Sequence, residues 1–539
     1  MEASARAPVG YSEGVKEGLK ADEAARSSRG CGGAWDGCLK KMLNFIPPDY
    51  RKELVQLFKL AGPVVISQMM VFLISFVSTV FCGHLGKTEL AGVALSIAVV
   101  NVTGISIGTG LSLTCDTLIS QTYGSGNLKR VGVILQRSIL ILLLACFPCW
   151  AVLINTEPLL LAVKQSPEVA RATDYAFYFL FQAAFMYQLQ GRYLQNQGII
   201  WPQVVTGVIA NIINAIINYV FLHVLELGVA GSAASNAISQ YVLAVVLYVY
   251  ICCRGLHKAT WGGWSMDCLQ EWGSFVQLAI PSMLMLCLEW WMFEIGGFLA
   301  GLISEAELGA QSIVYEVAVI AYMFPLGLAA AASVRVGNAL GAGNIEQAKL
   351  SCKIPIICCP SRISFLFFRD ILKRVADVMV VFVFSHLADA VAAVAGGVLR
   401  GAGKQLVGAL CNLVGFYFIG CPIGVSLMFA ANMGIVGLWI GLTICVLVQS
   451  IFFVTFVFKL DWKKAAEEVR NQVTASGAEE DNTYEELPTS GLNVSNSTTV
   501  GDILSKSQLV LRRGLTLLIM VLILVAGIFA SNFLTRLLK

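Results

Sequence analysis

Residues 60–82, LAGPVVISQMMVFLISFVSTVFC, and residues 278–303, LAIPSMLMLCLEWWMFEIGGFLAGLI, decide the fold. Each is an apolar run of membrane length, since a helix needs about 20 such residues to cross the hydrocarbon of a bilayer. They are also copies of one another. Leu60-Ala-Gly-Pro63 stands 218 residues before Leu278-Ala-Ile-Pro281, and Glu89-Leu-Ala-Gly92 stands 218 before Glu307-Leu-Gly-Ala310. Gly124-Ser-Gly-Asn127 then matches Gly341-Ala-Gly-Asn344 at 217, and Gly228-Val-Ala-Gly231 matches Gly434-Ile-Val-Gly437 at 206. Six membrane segments fall in each copy. Six is even, so both copies enter the membrane in the same sense, related by a pseudo-two-fold along its normal. That is one of the repeat geometries of secondary transporters, in which the substrate site lies between the halves.

Composition agrees. Of 539 residues, 57% are hydrophobic and 13% charged, where a soluble domain carries about 25% charged residues. A soluble enzyme, a nucleic-acid-binding protein and a disordered scaffold are excluded, and a net charge of +3 is too small for a polyanion binder. The expected fold is an all-α polytopic membrane protein. Spans are predicted at 61–82, 90–115, 131–154, 175–189, 204–224, 229–253, 275–303, 308–334, 375–399, 406–430 and 435–458, with one more alone at 515–534. The domains follow: a tail at 1–59, an N-lobe at 60–254, an inter-lobe loop at 255–274, a C-lobe at 275–459, a polar segment at 460–513 and a thirteenth span at 514–534.

Short loops rich in Lys and Arg mark the cytoplasmic side. Lys40, Lys41, Arg51, Lys52 and Lys59 precede the first span, Lys129 and Arg130 follow the second, and Arg254 and Lys258 follow the sixth. Arg335, Lys349, Arg400, Lys404, Lys459, Lys463 and Lys464 keep that side. The intervening loops (His84–Glu89, Glu226, Ser304–Glu307) are poorer in cations. The tail, the inter-lobe loop and the polar segment are therefore expected in the cytoplasm, where the sequons at Asn493 and Asn496 carry no glycan.

The offset falls from 217 to 206, so the second copy has lost about eleven residues between Asn344 and Gly434. The loss falls on the counterpart of the third span. What remains, 350–368, contains Lys353, Pro355, Pro360 and Arg362, a poor membrane helix. If nothing crossed there, every later span would invert, against the basic-residue bias. The ninth span is read as shortened or degraded, with a re-entrant segment as the alternative.

An ionisable side chain inside a span costs about 2.5–3.5 kcal/mol on insertion scales and is a functional candidate by default. The second copy concentrates them: Glu289, Glu294, Glu316, His386 and Asp389. Subtracting the repeat offset places Glu289 on Val71, Glu294 on Phe76, Glu316 on Ala98 and Asp389 near Ala184, all apolar. The scaffold does not require acids at these places; one lobe carries them. A carboxylate enclosed in low dielectric can keep a proton that water would take, and can hold a cation instead, which yields proton/cation exchange. Trp290, Trp291 and Tyr315 offer ring faces to an organic cation, worth about 0.5–2 kcal/mol, or serve bundle packing. Gln68, Asn101, Asn211 and Asn214 are first-half cavity groups or helix–helix glue. Asp116, Arg137, Arg335 and Asp377 are read as structural residues near span ends. Most of the 16 cysteines lie in apolar runs and read as packing, Cys146 and Cys149 included. The loops at 124–127 and 341–344 lack the lysine and hydroxyl of a P-loop. No metal, cofactor or enzymatic nucleophile–base pair is expected.

With the repeat and the acids in place, the chain resembles the multidrug and toxin extrusion (MATE) family, in its vertebrate kidney-and-liver type of organic cation/proton antiporter. The resemblance rests on LAGPVVISQMMVFLISF at 60–76, CDTLISQTYGSGNLK at 115–129, NQGIIWPQVVTG at 196–207, IPSMLMLCLEWWMFE at 280–294, ELGAQSIVYE at 307–316, ASVRVGNALGAGN at 332–344 and GGVLRGAGKQ at 396–405. It covers nearly everything from 50 to 465, and the isolated last span resembles that type's extra thirteenth helix. The resemblance implies a monomeric two-lobed antiporter of the plasma membrane, apical in epithelia, that exports organic cations and xenobiotics against inward proton flow. Family acids carry over onto Glu289, Glu294 and Glu316; where the family pattern has a glutamate three residues after the histidine, Asp389 stands here. The competing readings are a lipid or sodium-coupled exporter on the same scaffold, and a transport-defective isoform with a damaged ninth span.

Overall fold

The computed structural model describes residues 47–83, 98–156, 158, 180–358, 378–475 and 505–538. Residues 57–539 form one compact unit, and among the described residues it is built of helices and turns. The helices are α1 (Pro48–Gly83), α2 (Ala98–Gly124), α3 (Leu128–Leu153), α4 (Leu180–Asn196), α5 (Trp201–Val224) and α6 (Gly228–Cys253). The second set is α7 (Trp272–Ile303), α8 (Glu305–Gly341), α9 (Ile345–Cys358), α10 (Val378–Gly401), α11 (Gln405–Ala430) and α12 (Gly434–Lys459), followed by α13 (Trp462–Ala475) and α14 (Lys506–Leu538). Eleven of these are long and apolar enough to cross a membrane. The predicted span at 175–189 is α4, which runs on to Asn196; its first residues, the start of the second span and the loop at 84–89 lie outside the described residues.

The duplication read from sequence is visible in the backbone. The turns at 124–127 and 341–344 are the same turn: Gly126 and Gly343 have φ of +83° and +70°, a region that favours glycine. Asn127 and Asn344 each cap the next helix, accepting from the amides of Arg130 at 3.2 Å and Gln347 at 3.0 Å. α5 and α11 both end in a π-helical turn, 220–224 and 426–430, and both then pass through positive φ at Glu226 (50°) and Asn432 (53°). A third pair, Gly198 and Gly403, closes α4 and α10. The reading of the glycine-rich loops as repeat-related turns accounts for this geometry.

α9 starts normally at its Asn344 cap and is described over Ile345–Cys358; residues 359–377 lie outside the described residues. Lys353 and Pro355, expected to interrupt this segment, lie inside the helix, with Lys353 exposed and Pro355 buried. A proline inside a helix removes one backbone hydrogen bond, a loss that packing against neighbouring helices offsets; here α8, α10 and α13 pack against α9. Pro360 and Arg362 lie outside the described residues.

Three boundaries differ from the sequence reading. α1 begins at Pro48 rather than near 60, and α14 at Lys506 rather than 514. The polar segment at 460–513 contains α13, which buries Trp462, Ala465 and Val469, one face at helical spacing. Its Glu468 pairs with Lys404. α14 lies along α3: Asn155 Nδ2 donates to the Gly527 carbonyl at 2.9 Å and Ser531 Oγ to that of Ile154 at 3.0 Å. Its other faces are exposed apolar surface (Leu511, Phe529, Phe533), as lipid contact requires.

The lobes meet at the ends of α2 and α8 in a two-fold-like crossing. A Cβ at Gly124 would stand 2.2 Å from the Asn338 carbonyl oxygen, and one at Gly341 would stand 1.9 Å from that of Gln121. Gln121 and Asn338 are themselves 217 apart, so the contact is its own mate under the repeat. Thr117 Oγ1 donates to the Arg400 carbonyl at 2.6 Å and Gln121 Nε2 to that of Gly401 at 3.0 Å. The inter-lobe loop is held by α3, where Gln136 donates to Gly263 O at 2.6 Å and accepts from Ser265 N at 3.0 Å.

Candidate functional site

A cavity of about 390 Å³ opens between the lobes. Glu289, Glu294, Glu316, His386, Asp389, Gln68, Asn101, Trp290 and Tyr315, the nine residues singled out from sequence, all line it. α7 supplies Glu289, Trp290 and Glu294, α8 supplies Tyr315 and Glu316, and α10 supplies His386 and Asp389. Glu289 and Phe293, and Trp290 and Glu294, are each one turn apart on α7, so two adjacent stripes of the helix each pair an acid with a ring.

Tyr322 Oη donates to Glu289 Oε1 at 2.8 Å. Tyr315 Oη donates to Glu294 Oε1 at 3.5 Å, a long contact, and Asn101 from the other lobe also bonds Glu294. Glu289 and Asp389 interact electrostatically across α7 and α10. His386 is buried and stacks on Phe382 at 5.7 Å, and Phe382 meets Trp439 edge-on at 5.4 Å. Phe293 lies between Tyr315 and Trp439, with centroids 6.4 and 6.2 Å away. The C-lobe wall therefore alternates carboxylates with aromatic faces. Glu316 is the most open of the acids. Trp291 also lines the cavity, and its Nε1 donates across the lobe boundary to Val102 O at 3.2 Å and Ser106 Oγ at 3.1 Å.

The opposite wall is neutral apart from Arg192, whose charge is paired with Asp116. Gln68, Asn101, Asn236 and Gln240 face the cavity beside Val71, Phe72 and Phe76, so the repeat counterparts of Glu289 and Glu294 share the same chamber as apolar residues. Of the four N-lobe amides considered from sequence, Asn211 and Asn214 are helix–helix glue. Asn211 Nδ2 donates to Met70 O at 2.7 Å, and Asn214 Nδ2 to Ser239 Oγ at 3.0 Å. Among the structural candidates, Asp116 pairs with Arg192 at 3.3 Å and Arg137 with Glu271 at 3.3 Å; Asp377 lies outside the described residues.

Among the lining residues that sequence reasoning missed are Tyr322, Arg192 and Arg400. Arg400 was assigned to a cytoplasmic loop by its charge. It lies instead on α10 and is buried. Subtracting the repeat from cations as well as acids would have flagged it, because the matched turns at Gly198 and Gly403 set Arg400 on Gln195. Among the described residues no group of three or more His, Cys, Asp or Glu is arranged to hold a metal ion, and Cys146 and Cys149 are free, buried thiols.

A family model named MatE matches residues 63–220 and again 281–426. The two matches start 218 residues apart and end 206 apart, the same two offsets that the repeat gives. Multidrug and toxin extrusion protein 1 of Danio rerio is 61% identical over 555 residues, covering 93% of this chain and 94% of that protein. The Homo sapiens protein of that name is 50% identical over 536 residues, covering 90% and 94%. Among solved structures, the eukaryotic MATE transporter AtDTX14 superposes with a TM-score of 0.73 at 28% identity, covering 79% of this chain and 99% of that one. Vibrio cholerae VcmN in its bent form gives 0.62 at 17% identity over 79% and 100%, a likeness of fold.

Proposed function

The chain belongs to the MatE family of multi-pass membrane transporters, and on that premise we propose that it exports organic cations in exchange for protons. The observation that carries the proposal is the one-sided placement of acids: four carboxylates and a histidine from α7, α8 and α10 face a wall of the other lobe made of amides, apolar side chains and Arg192, itself paired with Asp116. Glu289, Glu294, Glu316 and Asp389 hold either protons or the cargo's positive charge, and His386 sits among them. Trp290 and Tyr315, with Gln68 and Asn101 opposite, shape the space for the organic part. A cation entering desolvated surroundings needs a carboxylate, since an unpaired charge there costs several kcal/mol; a proton on that carboxylate cancels the attraction. Occupancy is thus exclusive, and exchange follows when the lobes alternate.

The Lys/Arg distribution supports a cytoplasmic N-terminus, and the family resemblance supports a monomer in the plasma membrane, apical in epithelia. On that orientation the α2–α8 crossing closes the cytoplasmic end, after Gly124 and before Lys129, and the cavity belongs to an outward-directed state. The lobes are 60–254 and 275–459, joined by the loop at 255–274. The fall of the repeat offset from 217 to 206 on the counterpart of the third span is the one observation in favour of a transport-defective chain. Proteoliposomes holding this chain decide both points: a fluorescent N-methylpyridinium cation should accumulate under an opposed proton gradient, fail to do so under a sodium gradient, and fall about a hundredfold in Glu289→Gln. Equal uptake by that variant rejects the assignment, and no uptake by the unaltered chain supports the defective reading.

A further inference from the structure

Arg400 is the residue at which the acid site and the lobe boundary meet. Its carbonyl oxygen accepts from Thr117 of the N-lobe, while its side chain lines the cavity. The residue is 9% exposed, and its Nε has no hydrogen-bond partner. The guanidinium folds back along α10, with one nitrogen 3.8 Å from where a Cβ on Gly396 would stand. Its electrostatic neighbours are Glu289 and Tyr322 of its own lobe and Asp116 and Arg192 of the other. Asp116 accepts from Arg192 on Oδ2 at 3.3 Å and from Asn196 on Oδ1 at 3.2 Å, and a carboxylate has about four lone-pair sites to offer, so each oxygen retains acceptor capacity.

We propose that Arg400 is a tethered counter-ion shared between Glu289 and Asp116, and that it makes closure of the cytoplasmic end depend on the acid site being filled. The inference rests on the cation/proton reading above and deepens it. Glu289 and Arg400 belong to one lobe, so their separation survives lobe movement; Asp116 leaves with the other lobe. An ionised, empty Glu289 holds the guanidinium, and Asp116 gains nothing by approaching. A proton or a cargo cation on Glu289 releases Arg400, whose buried charge then needs Asp116, and the lobes close. The empty carrier is thereby kept from turning over, which is what obligate exchange requires. Arg400 acts through Glu289 and Asp116 and is a positioning residue.

The test uses the full chain in lipid nanodiscs and proteoliposomes with the same N-methylpyridinium probe. In the unaltered protein, saturating probe should slow hydrogen exchange about tenfold at residues 114–124 and 334–344, the ends of α2 and α8. In Arg400→Gln the probe should bind more tightly, because its resident competitor is gone, yet leave exchange at both segments unchanged within about twofold. Uptake should show the same division, with KM lowered about tenfold and the maximal rate lowered by at least that factor. Arg400→Lys keeps the charge without the planar fork and should restore part of the probe-dependent protection; if Arg400→Gln does not fold, this variant's KM, lowered about threefold, carries the test. Probe-dependent protection retained in Arg400→Gln, or an unchanged KM in either variant, overturns the inference. Absence of proton-driven uptake in the unaltered chain overturns the functional reading instead, and the hydrogen-exchange comparison still decides the role of Arg400.

Discussion

The N-lobe and the C-lobe are built from one plan and spend their polar groups differently. In the N-lobe a chain of neutral side chains is buried between helices: Asn218 donates to Ser78 at 3.0 Å, Ser78 to Asn236 at 3.0 Å, and Asn214 to Ser239 at 3.0 Å. The C-lobe has neutral bonds of this kind too, Trp439 to Gln311 at 2.9 Å and Asn412 to the Met285 carbonyl at 2.6 Å, but it adds carboxylates that face the cavity. Neutral amides satisfy each other at little electrostatic cost and hold helices together. Carboxylates in the same setting need a proton or a cation, so they stay available to ligands. The difference between two copies of one scaffold isolates what the scaffold needs from what the transported species need.

Moving the charge breaks the comparison most severely. Glu289→Gln with Val71→Glu restores the acid count on the mirror-related wall, yet uptake should remain about a hundredfold down, since Tyr322, Asp389 and Arg400 are not there to meet it. Recovery would mean that any acid in the chamber suffices. Gly341→Leu attacks the symmetric crossing itself. Its side chain would run into the Gln121 carbonyl, and overpacking of about 1–3 kcal/mol should cut the rate of exchange about tenfold with KM little changed. Asn218→Leu tests the glue: melting of the purified protein should drop by an amount matching about 0.6–1.7 kcal/mol, while the KM for the probe cation stays within about twofold. A large KM change there would place the N-lobe network in the binding site.

Much of this was legible beforehand, for physical reasons that differ by feature. Membrane helices announce themselves by length and hydropathy, and the duplicated turns by glycine and asparagine at fixed offsets, because positive φ and helix capping restrict the residue choice. The acids were found because charge inside a span is costly and because their repeat partners Val71, Phe76 and Ala98 are apolar. Arg400 was lost by counting it among loop cations, a rule blind to which way a helix-end arginine folds. α13 was missed because Trp462, Ala465 and Val469 form a narrow apolar stripe in a charged helix. The pairing of Asp116 with Arg192, 76 residues away, leaves no local trace. Nor does sequence separate Asn101, which reaches the cavity, from Asn214, which is sealed between helices.

The central claim is that protons and cations exclude one another at the C-lobe acids. Adding a saturating organic cation to the detergent-solubilised protein in weakly buffered solution with a pH indicator measures this without transport. Binding should release protons into solution, and the variant Glu289→Gln/Glu294→Gln/Glu316→Gln/Asp389→Asn should release none. Cation binding with no change of pH in the unaltered protein, or an identical release from that variant, would contradict the account.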